Sequence, residues 1–306
     1  MHFYKQAITL IAGLLIATGN SIADEDFMPF QPPGRFINLG MHVMYIECLG
    51  NKAPTVLIDV GLADSSANWY KVAKRLSKDV RTCVYDRAGY GWSDPGPGDR
   101  TTAQIVHELN MLFEFAEIPG PYVMAGHSFG GFTARYFASM YPNKTVGVVL
   151  IDSSHPDQIY RLAELDKAEN KPPLKVSRRE PPPGYMNEFE KRWYFLNSSR
   201  KATFAQMNEL KGFKKSAEQV KYAKAFPDVP LAVLTRGKDL LPVIHGINLE
   251  QEWRDMQKEL LKLSKKSWQI IVEGSGHNIY KDAPEAVIDN VLRVVEIARN
   301  NYIISD

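Results

Sequence analysis

The chain has 306 residues, 44% of them hydrophobic and 24% charged, which suits one large globular domain or two small ones and excludes a disordered, collagen-like or coiled-coil chain. Its 37 Lys and Arg against 35 Asp and Glu give a formal charge of +2 with no concentrated basic face, so nucleic acid is not an expected partner.

The first residues read MHFYKQAITLIAGLLIATGNSIADEDF. Lys5 precedes an apolar run from Ala7 to Ala17, and a polar stretch then ends in Ser21-Ile22-Ala23 before Asp24. A basic start, a short apolar run and small residues at a cut site are the parts of a secretory leader, and the run is short for a bilayer span. The expectation is a signal peptide over residues 1–23, an exported (periplasmic or secreted) mature chain, and no stable membrane span after cleavage. An uncleaved anchor or a buried N-terminal helix is the competing reading. Export bears on Cys48 and Cys83, because an oxidising compartment favours a disulfide where the cytosol favours free thiols.

Downstream, GRFINL and HVMYIEC resemble a hairpin pair of strands around Gly40. Apolar runs then alternate with segments of helical period: TVLIDV, a helix over 66–77, RTCVYD, a helix over 102–117, YVMAGHS, a helix over 129–141, and VGVVLID. After a break come LAVLTRG, a helix over 249–264, WQIIVEG and a helix over 284–299. Pro284 falls in the first turn of the last helix, with Asp282 and Glu285 spaced as a capping box. This alternation predicts an α/β fold with a mostly parallel sheet flanked by helices.

The break, residues 153–228, holds no convincing strand, contains KPPLK and EPPPGY, and carries 15 Lys or Arg against 10 Asp or Glu. Tyr185, Phe189, Trp193, Tyr194, Phe195, Phe204 and Phe213 supply enough aromatic surface for a packed helical lid rather than a bare loop. The expected organisation is therefore a core over 24–152, a lid insertion over 153–228 and the rest of the core over 229–306.

Chemistry concentrates at AGHSFGG, residues 125–131. Gly126-His127-Ser128-Phe129-Gly130 follows a predicted strand and precedes a predicted helix, the context in which G-x-S-x-G exposes a nucleophilic serine on a strained turn. A serine hydroxyl needs a base, and the base needs an acid to hold its tautomer. Of seven histidines, His2 lies in the leader, His42 in an early strand and His107 in a helix; His127 adjoins Ser128 with its side chain expected to point away. His155 and His245 are loop residues able to line a pocket, and His277, in EGSGHNIY, follows the last strand. His155 and Asp157 alone are too few for a metal site.

The chain order serine, acid, late histidine resembles that of the α/β-hydrolase superfamily. TVLIDVGLADSSANW looks like its oxyanion segment, YDRAGYGWSD like the loop after its fourth strand, AGHSFGG like its nucleophile elbow, and SGHNIYKDAPEAV like its histidine loop and final helix. The resemblance runs from about Arg35 to Ala298. It implies an eight-stranded, mostly parallel sheet, Ser128 as nucleophile, His277 as base, and the backbone N–H groups of Leu62 and Phe129 as oxyanion hole. Val60 stands where His more often precedes the glycine. The acid stays open between Asp239, in RGKD and one residue early for the commoner position, and Asp152, at the end of VLID in the manner of secreted lipases. Asp152 needs no shift in register. In this fold the second and fourth strands are antiparallel neighbours, which implies a Cys48–Cys83 disulfide.

The implied activity is hydrolysis of an ester or related acyl bond on a small-molecule or lipid-like substrate through an acyl-enzyme, with no metal or organic cofactor. Serine at the elbow disfavours the epoxide hydrolase and dehalogenase chemistries, which use aspartate there. A non-catalytic ligand binder and a lipid-surface-sensing lid are the competing classes.

Overall fold

A computed structural model describes residues 32–163 and 188–301. The expected leader, residues 164–187 of the insertion with Tyr185, and the side chains of Phe189 and Trp193 lie outside the described residues.

Eight strands form one sheet: β1 (Arg35–Asn38), β2 (Val43–Leu49), β3 (Thr55–Asp59), β4 (Arg81–Tyr85), β5 (Tyr122–His127), β6 (Thr145–Ile151), β7 (Leu231–Arg236) and, after a small hairpin of β8 (Val243–Ile244) and β9 (Ile247–Asn248), β10 (Ser267–Val272). Their order is β1-β2-β4-β3-β5-β6-β7-β10. Strand β2 is antiparallel to both neighbours, and all pairings from β4 to β10 are parallel.

The helices are α1 (Ser66–Leu76), α2 (Thr102–Phe115), α3 (Gly130–Met140), α4 (Gln158–Arg161), α5 (Glu188–Asn197), α6 (Arg200–Lys221), α7 (Leu249–Glu259), α8 (Ile279–Asp282) and α9 (Pro284–Asn301). Strand alternation sorts the core into two faces. Val56, Ile58, Val84 and Val149 meet Trp69, Val72 and Leu76 of α1 and Val287, Val291 and Val294 of α9. Leu57, Tyr85, Met124 and Val148 point the other way, onto Val106, Leu109 and Phe113 of α2 and Ala134 and Phe137 of α3. Burial on both faces explains why the central strands read as continuous apolar runs, with no polar alternation. Among the described residues no helix is long and apolar enough to cross a membrane.

Between β6 and β7 the described residues form helices α4, α5 and α6 together with non-helical turns, and α6 packs across α2 and α3. Ser199 caps α6 by accepting from the Ala202 N–H.

Two local expectations change. The helix expected over 249–264 ends at Glu259 and tightens into a 3₁₀ turn over Leu260–Leu263. The capping box at Pro284 does not form, because the Asp282 carboxylate accepts from the Gly276 N–H at 2.6 Å and Glu285 pairs with Arg75. His245 is an exposed turn residue of the β8–β9 hairpin, with Gly246 beside it at φ +80°.

Cys48 and Cys83 face each other across β2 and β4 with Cα atoms 4.0 Å apart and are joined as a disulfide. Closing a loop of sequence separation 35 restricts the unfolded chain by about 3–4 kcal/mol in the chain-entropy account. Denaturant unfolding with and without reductant is expected to show a loss of that order; coincident midpoints would refute it.

Candidate active site

Ser128 sits between β5 and α3 with φ +51°, a left-handed conformation that costs a non-glycine residue about 1–3 kcal/mol. The conformation is held from both sides. The Ser128 N–H donates to Ile151 O at 3.1 Å, and its carbonyl accepts from Gly131 N–H and Ser154 N–H. The flanking glycines are required sterically: a Cβ at Gly126 would run into the Gly130 carbonyl, and one at Gly130 into that of Asp59. The oxyanion-type segment lies alongside, since a Cβ at Gly61 would stand 3.4 Å from that of Ser128. Among the described residues no protein group accepts from the N–H of Leu62 or of Phe129, which leaves both donors available.

His277 arrives on the loop after β10, at the same carboxyl edge of the sheet as Ser128. Its Nδ1 is 2.6 Å from Asp152 Oδ2. A carboxylate only accepts, so Nδ1 carries a proton; in the neutral ring this leaves the lone pair on Nε2, the tautomer a general base needs. His277 is also held from behind, because His127 Nε2 lies 2.9 Å from its carbonyl oxygen. His127 therefore turns toward the histidine loop, and its ring centre is 4.8 Å from that of His277.

Asp152 is fully buried at the end of β6, with φ +41°. Besides His277 it accepts from Arg236 Nη1 and Trp253 Nε1, each at 2.9 Å. Burial pushes its carboxyl up, but the His277 hydrogen bond and the Arg236 charge outweigh this and hold it below the usual carboxylate range. The other candidate, Asp239, is exposed and pairs with Arg254 at 2.5 Å. The structure thus brings Asp152 and His277 together and leaves Asp239 on the surface.

Sequence reasoning did not single out Arg236, Trp253 and Glu250. Arg236 bridges Asp152 and Glu250, with its guanidinium 4.6 Å over the Trp253 ring. A signal was present: Arg236 ends a buried strand that is apolar from Leu231 to Leu234, and a buried guanidinium requires a carboxylate on a neighbouring element.

Burial, with the charge of His277, pushes His127 down from 6.5 to about 3, and burial, with Arg135, pushes His155 to about 4. Both rings fold neutral, whereas in the unfolded chain they take up protons below about 6.5. Their contribution to stability is therefore complete above about pH 6.5 and is lost as the pH falls toward 4 and then 3. Melting temperatures are expected to fall steadily from about pH 7 to about pH 4; a flat profile across that window would contradict the assignment.

Residues 56–290 match the alpha/beta hydrolase family. The chain belongs to this family. The uncharacterized protein YqjL of Bacillus subtilis (strain 168) is 26% identical over 238 residues, covering 78% of this chain and 82% of YqjL. An uncharacterized Schizosaccharomyces pombe protein is 24% identical over 279 residues, covering 78% of this chain, which spans 50% of that protein's length. Among solved structures, an esterase from Thermogutta terrifontis superposes with a TM-score of 0.63 at 20% identity, covering 87% of this chain and 99% of the esterase. At that identity the likeness concerns the fold alone.

Proposed function

We propose that this α/β-hydrolase is an exported serine hydrolase that cleaves an ester or related acyl bond of a small-molecule or lipid-like substrate. The observation that carries the reading is the hydrogen bond from His277 to the buried Asp152, beside a serine held in a left-handed elbow. In the proposed cycle Ser128 Oγ attacks the acyl carbon as His277 Nε2 takes its proton. The carbonyl oxygen becomes an oxyanion facing the N–H groups of Leu62 and Phe129, where charge developing in the transition state is stabilised. The bond to the leaving oxygen then breaks as His277 returns the proton to it. Water attacks the acyl-enzyme by the same relay, releasing the acid and restoring Ser128. Asp152 keeps the Nδ1 proton in place and stabilises the imidazolium. Arg236 keeps Asp152 ionised.

The test is a series of esters of increasing acyl length with the purified mature chain, together with labelling by a fluorophosphonate. Turnover and one label per chain are expected. Absence of both across the series would replace the reading with a non-catalytic binder on the same fold. For export, the proposed cut falls between Ala23 and Asp24, and the Cys48–Cys83 disulfide accords with an oxidising compartment. The mass of the protein recovered outside the cytoplasm is expected to begin at Asp24; a chain retained there with residues 1–23 intact would refute this part.

A further inference from the structure

The buried ion cluster around Arg87 belongs to none of the steps above, yet it bonds the carbonyl end of the peptide that carries one proposed oxyanion donor and lies over the ring of the residue that carries the other. The Arg87 guanidinium donates from Nη1 to Val60 O at 2.6 Å and from Nη2 to Gly61 O at 2.9 Å. Gly61 C=O and Leu62 N–H are the two ends of one planar peptide. A group that fixes the direction of the carbonyl therefore fixes the opposite direction of the N–H. The same guanidinium lies 5.4 Å over the ring of Phe129, the residue that carries the second donor.

Its counter-charges come from two parts of the chain. Asp59, at the end of β3, accepts from Nη1 at 2.7 Å. Glu209, on insertion helix α6, accepts from Nε at 2.7 Å and from Nη2 at 3.1 Å, and also receives the Tyr90 hydroxyl at 2.9 Å. The three charged side chains are at most 1% exposed. One helical turn beyond Glu209, Phe213 packs against Phe129 and Phe132, with ring centres 5.8 and 5.4 Å apart. Helix α6 thus presents Glu209 to the residue that aims the first donor and Phe213 to the residue that bears the second.

We infer that Arg87 and Glu209 are positioning residues for the oxyanion hole, so that seating of insertion helix α6 sets transition-state stabilisation. This rests on the proposed acyl-enzyme reading. Lysine at position 87 keeps the charge but loses the planar fork that holds a carbonyl and a carboxylate together. Glutamine at 209 keeps the shape and removes the charge.

The experiment compares wild type, Arg87→Lys, Glu209→Gln and, as a control on the exposed face of α6, Lys211→Ala. It measures kcat and KM, the inhibition constant of a trifluoromethyl ketone whose tetrahedral adduct places an oxyanion in the hole, and the rate and endpoint of fluorophosphonate labelling. The two cluster variants are expected to lose at least about tenfold in kcat with KM within about twofold. The ketone's inhibition constant is expected to rise in parallel, labelling to slow while still reaching one per chain, and Lys211→Ala to match wild type. If Arg87→Lys does not fold, Glu209→Gln carries the test alone. Wild-type kcat and ketone affinity in the folded variants, or activity lost only in proportion to an unlabelled fraction, would overturn the inference while leaving the acyl-enzyme reading intact. Failure of the wild type to label at all would overturn that reading, and the inference with it.

Discussion

Ser128→Ala is expected to abolish fluorophosphonate labelling and to lower ester turnover by about 10⁴- to 10⁶-fold, the range seen when a triad nucleophile is removed. The effect is large because no neighbouring group can take over the attack. His127 adjoins Ser128 in sequence, but its Nε2 is engaged with the His277 carbonyl and burial keeps its ring neutral. Binding should change little, since alanine removes only a hydroxyl. Stability should also change little, because alanine inherits the same strained backbone at φ +51°. Kinetics with a chromogenic ester and a melting curve on the same preparation check both statements. An alanine variant that still labels would move the nucleophile elsewhere.

Asp152→Asn is expected to cost about 10⁴-fold in kcat with the overall geometry kept. An amide accepts through its oxygen but can present N–H to His277 Nδ1, which stabilises the tautomer with the proton on Nε2. The base nitrogen is then blocked. The substitution also removes the carboxylate shared by Arg236, leaving that guanidinium with Glu250 alone in the buried cluster. Some loss of stability should accompany the loss of rate. Asp239→Asn, at an exposed carboxylate paired with Arg254, should leave kcat/KM within about twofold. The comparison is decisive in either direction: a large effect at Asp239 with none at Asp152 would reverse the assignment.

Much of this site is legible in the sequence. Strand-turn-helix context around AGHSFGG and the late arrival of His277 are local features, and local features survive in a linear chain. The acid was not legible, because Asp152 and Asp239 both follow apolar strands and differ only in what surrounds them after folding. Asp152 ends inside a pocket formed by Arg236 and Trp253, residues 84 and 101 positions away. Asp239 emerges toward solvent and Arg254. The failed capping box at Pro284 has the same origin, since Asp282 is drawn back to Gly276 in the histidine loop instead of capping the helix that follows.

The sequence by itself determined the two-faced parallel sheet, the elbow serine and the place of the histidine, because hydrophobic period and glycine sterics act within a few residues of chain. Only the tertiary structure decided which carboxylate meets His277, and that Arg87 joins β3, the Val60-Gly61 turn and Glu209 of the insertion in one buried cluster. Those outcomes depend on charges far apart in sequence. Burial away from water forces each of them to find a partner, and the partner available is set by how the elements pack.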